Sequence, residues 1–241
     1  MSNSIQFTAH KDYLDLKDNY PEPIKVNIPD WYKKIEHKTE SKTVKGCIPF
    51  LETLTTGYLL RVPLDIDIKF NSKNKNGERV TEFTVSDKLI NFNLNANTSN
   101  EYHPTVQFSN SPIEKNNLNY PVYKIMNPWI IKTPPGYSCL FVSPLNNGDD
   151  RFSIIPGIVN TDKFQDYINF PITINSDKHP SFNSIIKKGT PYVQIIPFKR
   201  ESWKMSTAAI NKKERDMYLI DYWLGVLRVY QNKLWDKISW K

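Results

Sequence analysis

Residues 133–199 constrain the fold of this chain more tightly than any other stretch. They open with TPPGYSCLFVSPL, continue through FSIIPGIVNTDKFQDYINFPITIN and close with IIKKGTPYVQIIPFK. Apolar and β-branched residues alternate with polar ones, and Pro134-Pro135-Gly136, Pro156-Gly157 and Lys188-Gly189 interrupt the runs. Half-buried strands between tight turns require that pattern, and a helix of useful length cannot survive it. The stretch therefore predicts three β segments joined by Pro/Gly turns.

The flanks add to this core without replacing it. Residues 1–45 read as an irregular arm, because YPEPIKVNIPD carries three prolines. A short helix is expected over 30–37, with Asp30 as its cap and Trp31, Tyr32 and Ile35 on one apolar face. Further on, Leu64, Ile66, Ile68 and Phe70 alternate with Asp65, Asp67 and Lys69, Asn76-Gly77 follows as a turn, and Arg79–Val85 alternates again. That is an antiparallel hairpin with one wet face, on which Asp65 and Asp67 lie side by side. Residues 86–128 are rich in Asn and Ser, with strand-like pieces at 89–94 and Thr105–Phe108 and a polar loop over 109–119. Beyond the β core, Asn211 and Glu214 have capping-box spacing. Over 217–234, Ile220, Trp223, Leu224, Leu227, Tyr230 and Leu234 then fall on one helical stripe, with Asp221, Arg228 and Asn232 opposite. The expected organisation is an arm (1–45), a β domain (46–205) with an insertion at 71–127, and a C-terminal helix (206–241) packed on that domain or on a neighbouring subunit.

At 241 residues the chain is long enough to bury a sizeable core without staples. Cys47 and Cys139 are too few for a disulfide scaffold and fit a reducing compartment. The first twenty residues hold no apolar leader, and nowhere do eighteen apolar residues run together, so a soluble intracellular protein with no membrane partner is expected. A net charge of +7 and a pI near 9.2 raise the question of nucleic acid. The charge comes mostly from scattered lysines, with no Arg-rich cluster or recognised binding motif, so a solvated lysine surface is favoured over a nucleic-acid face. The four histidines stand apart and no Cys or His pair has metal-ligand spacing, so no metal site is expected.

With the motifs laid out, the β core resembles the β-clip fold of the dUTPase and dCTP deaminase superfamily. Thr55-Thr56-Gly57-Tyr58-Leu59-Leu60 resembles its S-A-G-Y-D-L motif, with 63–68 in the place of the next strand. Pro134-Pro135-Gly136-Tyr137, running on to Ser143-Pro144-Leu145, resembles P-P-G-Y-Y-G…P-R-S-S-L. Gly157-Ile158-Val159-Asn160-Thr161-Asp162 resembles G-V-I-D-x-D, and Lys188-Gly189-Thr190-Pro191-Tyr192-Val193-Gln194 resembles K-G-D-R-I-A-Q. The resemblance implies a mainly β, dUTPase-like clip barrel; a cupin-type double-stranded β-helix is the structural alternative. KGCIPFLETLTTGYLL, NPWIIKTPPGYSCLF and KKGTPYVQIIPFKRESWKM also resemble a family of tailed-bacteriophage and bacterial proteins. That second likeness implies a viral or mobile-element source, hence the host cytoplasm or the virion, and brings no activity with it.

The dUTPase chemistry does not carry over residue by residue. The family's metal-organising Asp, phosphate-binding Arg-Ser pair and water-positioning Asp correspond here to Leu59, Ser143 with Pro144, and Asn160, and Gln194 alone is kept in kind. A neutral amide at Asn160 takes no proton from water, and 170–175 has no glutamate for deamination. The expectation is a clip protein without catalytic residues and without a cofactor, binding a nucleotide-like ligand or a protein partner and, by family analogy, homo-oligomeric. Tyr58, Asn160, Asp162 and Gln194 would line its cleft. The bland alternative makes Tyr58 core, Asn160 and Asp162 turn-shaping, and Gln194 a strand-edge partner. Two further functions stay open: a Mg²⁺-dependent nucleotide hydrolase using Asp162 or Asp166 as base with the metal held by substrate phosphates, and a virion or assembly component.

Overall fold

A computed structural model describes residues 3–14, 19–38, 43–85, 102–213, 215–216, 219 and 230–241. The strands in its first half are β1 (Gln6–Thr8), β2 (Glu22–Pro23), β3 (Tyr58–Arg61), β4 (Ile66–Lys73), β5 (Arg79–Val85), β6 (Tyr102–His103) and β7 (Val122–Ile125). The second half holds β8 (Ile130–Lys132), β9 (Tyr137–Val142), β10 (Phe152–Ile154), β11 (Gly157–Val159), β12 (Phe170–Ile174), β13 (Phe182–Ile186) and β14 (Pro191–Lys199). Short helices α1 (Lys11–Leu14), α2 (Asp30–Lys34), α3 (Ile48–Thr55) and α4 (Pro112–Asn116) decorate them. The chain is thus mainly β.

All described strand pairs are antiparallel and fall into four sheets, ordered β1-β8, β10-β12-β7-β6, β11-β9-β14-β3-β2 and β13-β4-β5. Among the described residues these do not close into one barrel. They share one core instead: Ile131, Phe170, Ile172, Phe141, Ile195, Ile68 and Phe70 come from all four sheets and pack in a single buried cluster. Burying these branched and aromatic side chains is the main driving force for the fold.

The expected hairpin is present. Ile66, Ile68 and Phe70 are buried while Lys69 pairs with Glu82 across the wet face, as a period of two dictates. Gly77 turns the chain at φ +81°. Asp65 and Asp67 do not act as a pair. Asp65 accepts from the Lys188 amide (2.7 Å) and Lys187 Nζ (2.9 Å), bonds that hold its carboxyl below the ordinary range.

Several expectations need correction. The stretch 133–199 holds six strands, β9 to β14, rather than three, because the middle segment divides into β10, β11 and β12 and Phe182–Ile186 forms β13 ahead of β14. Thr105–Phe108 is a 3-10 turn after Pro104 rather than a strand. The supposed loop at 109–119 contains α4, whose Ser111 Oγ accepts from the Glu114 amide while Glu114 accepts from the Asn110 amide. Asp30 does not cap α2; Pro29 occupies that position and Asp30 pairs with Lys33 one turn on. Residues 89–94 and most of the 217–234 stripe lie outside the described residues; the end of that stripe, Tyr230–Leu234, forms a π-helical turn.

One face of the five-stranded sheet meets the shared core; α3 and the arm cover part of the other. In an antiparallel ladder, residues directly opposite share a face. Gln194 lies opposite Leu59, and Ile195 opposite Tyr58, so Gln194 and Tyr58 point to different sides of the sheet. Ile195 belongs to the core cluster and Tyr58 packs against it. On the Gln194 side, α3 is held by buried Leu54 and Ile48 and by Phe50, which stacks on Tyr32 of α2 at 5.9 Å.

Candidate functional site

At the C-terminal end of β14 the chain forms a polar network around Asp162. The Pro134-Pro135-Gly136 turn places the Gly136 amide 2.8 Å from Asp162 Oδ2. Arg200, the residue after β14, donates from Nη1 to Asp162 Oδ1 (2.8 Å), Ser138 Oγ (3.0 Å) and the Tyr137 carbonyl (2.6 Å), and Nη2 completes the ion pair with Asp162. Ser138 Oγ in turn donates to Asn160 Oδ1 (2.8 Å). Behind them the Thr133 and Thr161 hydroxyls meet at 2.7 Å, and Thr161 donates to Cys139 Sγ (3.3 Å).

Only 5% of the Asp162 side chain is exposed, and both carboxylate oxygens are engaged. Hydrogen bonding from Arg200, helped by the Gly136 amide, holds its carboxyl down at about 2. A carboxylate held so low is a poor general base near neutral pH, since proton abstraction works best with a pKa near the working pH. Arg200 was not legible as a functional residue, because nothing in the local sequence links it to an acid thirty-eight positions earlier.

Gln194 is elsewhere. Six residue steps of extended chain, about 20 Å, separate it from Arg200. It is fully buried, and its amide links two segments: Oε1 accepts from the Leu145 amide (2.8 Å), and Nε2 donates to the Thr53 (3.0 Å) and Thr56 (2.8 Å) carbonyls at the end of α3. Tyr58, on the opposite face, packs edge-on against Phe7 (5.6 Å) and Trp240 (5.8 Å), and its hydroxyl donates to the Lys241 carbonyl (3.2 Å). The structure thus brings Asn160 and Asp162 together and places Gln194 and Tyr58 apart from them. Asp166 is exposed, and its Oδ1 accepts the Tyr167 amide (2.7 Å).

The C-terminal residues return to the same region of the chain. Trp235 Nε1 donates to Glu52 on α3 (3.0 Å) and Trp240 packs on Tyr58, so two tryptophans anchor the chain end.

Two clefts among the described residues bear on these side chains. One, of about 450 Å³, is lined by Asn27, Asp30, Lys33, Asn147, Asp149 and Thr190 among others. Its charges are already paired: Lys33 with Asp30, and Asp149 with Arg151. The second, of about 440 Å³, is lined by Ile158, Val159, Asn160, Lys163 and Phe164, and so borders the Asp162 network. Among the described residues no three His, Cys, Asp or Glu side chains converge. Cys47 is exposed and Cys139 buried, both as free thiols; burial pushes the Cys139 thiol up to about 11. No described helix is long and apolar enough to cross a membrane.

Comparison with known proteins yields likeness to solved structures alone. No family model matches the chain, and no curated protein matches it. Among solved structures, the native EIAV dUTPase aligns over 86% of this chain and 98% of its own at 12% identity, with a TM-score of 0.37.

Proposed function

We propose that this protein is a non-catalytic, partner-binding or assembly component built on a degenerate dUTPase-like β fold. One observation carries the reading: each polar side chain at a position suited to ligand or water chemistry is bonded within the chain. Asp162 is held by Arg200 and the Gly136 amide, Asn160 by Ser138, Gln194 by three backbone groups, and Tyr58 by the returning C-terminus. A nucleotide site needs several such groups converging on one cavity and free to exchange water for ligand. Here they are spread over two ends and two faces of one sheet.

Several large apolar side chains are exposed. Ile158 is 64% exposed on β11, Phe164 is 42% exposed beside it, and Trp203 and Met205 are each 88% exposed. The Ile158–Phe164 cleft and these exposed side chains fit a protein partner better than a phosphate. A phage source, with the host cytoplasm or the virion as its place of action, belongs to the same proposal.

The test is turnover. Purified protein incubated with Mg²⁺ and each common ribo- and deoxyribonucleoside triphosphate should release no phosphate or pyrophosphate above a protein-free blank. Release by the wild type that disappears in Asp166→Asn or Asp162→Asn would replace this reading with the hydrolase.

A further inference from the structure

β11 (Gly157–Val159) ends the five-stranded sheet and, among the described residues, pairs with β9 alone. Ile158 lies opposite Leu140, and Leu140 opposite Ile196. Residues directly opposite share a face, so an apolar row crosses β14 and β9 and stops at the exposed Ile158. The space beside this edge is open: a Cβ on Gly157 would meet nothing within 4 Å. Such an edge carries main-chain donors and acceptors able to pair with one more strand.

Along it runs the cleft of about 440 Å³, whose walls are set before anything binds. The Lys163 and Phe164 amides both donate to the Asn160 carbonyl (2.9 Å each), and Asn160 is itself held by Ser138 Oγ (2.8 Å). Ile158 and Phe164 supply exposed apolar walls, and among the described lining residues Lys163 alone is charged. Asp162 spends both carboxylate oxygens on Arg200 and the Gly136 amide, and Asp166 lies outside the lining. A second exposed cation, Lys132, precedes Thr133, whose amide donates to the Thr161 carbonyl (3.3 Å). The cleft is thus apolar with a basic rim, on a chain of net charge +7. Its complementary occupant is apolar and acidic.

We infer that β11 takes up an extended acidic segment of another protein as an added strand, with an aliphatic or aromatic side chain seated between Ile158 and Phe164 and an Asp or Glu two positions away on Lys163. This rests on the partner-binding reading and names the partner's chemistry. Alternate side chains of a strand point to one side, about 7 Å apart, so one apolar and one acidic residue at that spacing meet both features of the cleft. Main-chain bonds to the edge supply the rest of the affinity, and the side chains the specificity. A phosphodiester chain would satisfy Lys163 but not the strand edge. The contact is small, which places it among transient interfaces rather than permanent ones.

The experiment uses the full chain as bait for a displayed library of random nonapeptides. Enriched peptides should share an apolar residue with Asp or Glu two positions from it. A synthetic copy of one, measured by fluorescence anisotropy, should bind Ile158→Lys at least about thirty-fold more weakly than wild type, the size of a lost anchor, with circular dichroism unchanged. Lys163→Glu should weaken it about ten-fold, chiefly through the association rate, and exchanging the peptide's acid for Lys should restore binding to that variant. Methylating alternate peptide nitrogens should abolish binding in one register and spare it in the other, as strand addition requires. A library that yields no sequence above background overturns the proposal, and so do peptides that bind Ile158→Lys as well as wild type or keep their affinity when the acid is replaced. A wild-type oligomer that Ile158→Lys turns into monomers gives the cleft to a second copy and overturns it too. Any of these results, with turnover still absent, leaves the partner-binding reading standing. Nucleotide turnover alongside charge-swapped rescue removes that reading and leaves the strand-addition site.

Discussion

Replacing Gln194 by leucine tests whether this side chain belongs to the fold or to a ligand. The two side chains are close in volume, so the change removes polarity while leaving little cavity. Gln194 accepts one backbone hydrogen bond, from Leu145, and donates two, to Thr53 and Thr56. A net contribution of about 1 kcal/mol per bond gives about 3 kcal/mol, and leaving three backbone groups unpaired raises this, while the added apolar surface of leucine offsets about 1 kcal/mol. The expected loss is therefore about 3 kcal/mol. Equilibrium urea unfolding of the two proteins, compared at equal slope, measures it. Gln194→Glu sharpens the point, because a carboxylate keeps the bond from Leu145 but faces the Thr53 and Thr56 carbonyls with like charge. That environment raises its folded-state pKa, so the variant should be weakest at neutral pH and recover as the pH falls through the raised value. A loss below about 0.5 kcal/mol in Gln194→Leu would refute the structural role, since three buried bonds cannot be that cheap to remove.

Three further outcomes follow from the same structure. Gly57 and Gly77 both hold positive φ (+84° and +81°), but a Cβ at 57 would lie 2.0 Å from the Ile195 carbonyl oxygen whereas one at 77 meets nothing within 4 Å. Gly77→Ala should cost about 1 kcal/mol of backbone strain and Gly57→Ala a further 1–3 kcal/mol, roughly, from the forced backbone shift; equal losses in chemical denaturation would contradict this. Asp162 has a folded pKa of about 2, lower than the usual carboxylate value near 3.9. Its stabilisation is therefore complete above about pH 4 and is lost as the pH falls toward 2. The melting temperature of Asp162→Asn should accordingly depend less on pH in that window than that of the wild type, and parallel curves would argue against the ion pair. The Tyr192 hydroxyl is buried without a hydrogen-bond partner among the described residues, so Tyr192→Phe should leave stability unchanged or raise it by up to about 1 kcal/mol; a loss of that size would point to a hidden partner.

The fold was legible where local pattern and tertiary outcome agree. Ile66, Ile68 and Phe70 alternate with charges, and Gly77 has no alternative to a turn, so the hairpin followed from side-chain period alone. α3 carried a signal that strand-like Thr and Leu residues obscured: Pro49 within its first turn and Gly57 just past its end. α4 carried a Ser111…Glu114 capping box inside a segment whose polarity suggested a loop. The site was legible only as a set of positions. Tyr58 and Gln194 sit within one ladder rung of each other yet on opposite faces, and a motif string records order without recording face. Arg200 was invisible because an ion pair across thirty-eight residues leaves no periodic trace, although it decides whether Asp162 can titrate.

The central claim, that the polar groups near these motifs serve the fold rather than a nucleotide, is tested most directly by melting the intact protein with each common nucleotide, with and without Mg²⁺. A ligand specific to the native state at a hundred times its Kd adds about 2.7 kcal/mol, which for a chain of this size raises the midpoint by roughly 5–11 °C. The account predicts no displacement with any of them. A rise with one nucleotide that saturates with its concentration would contradict it.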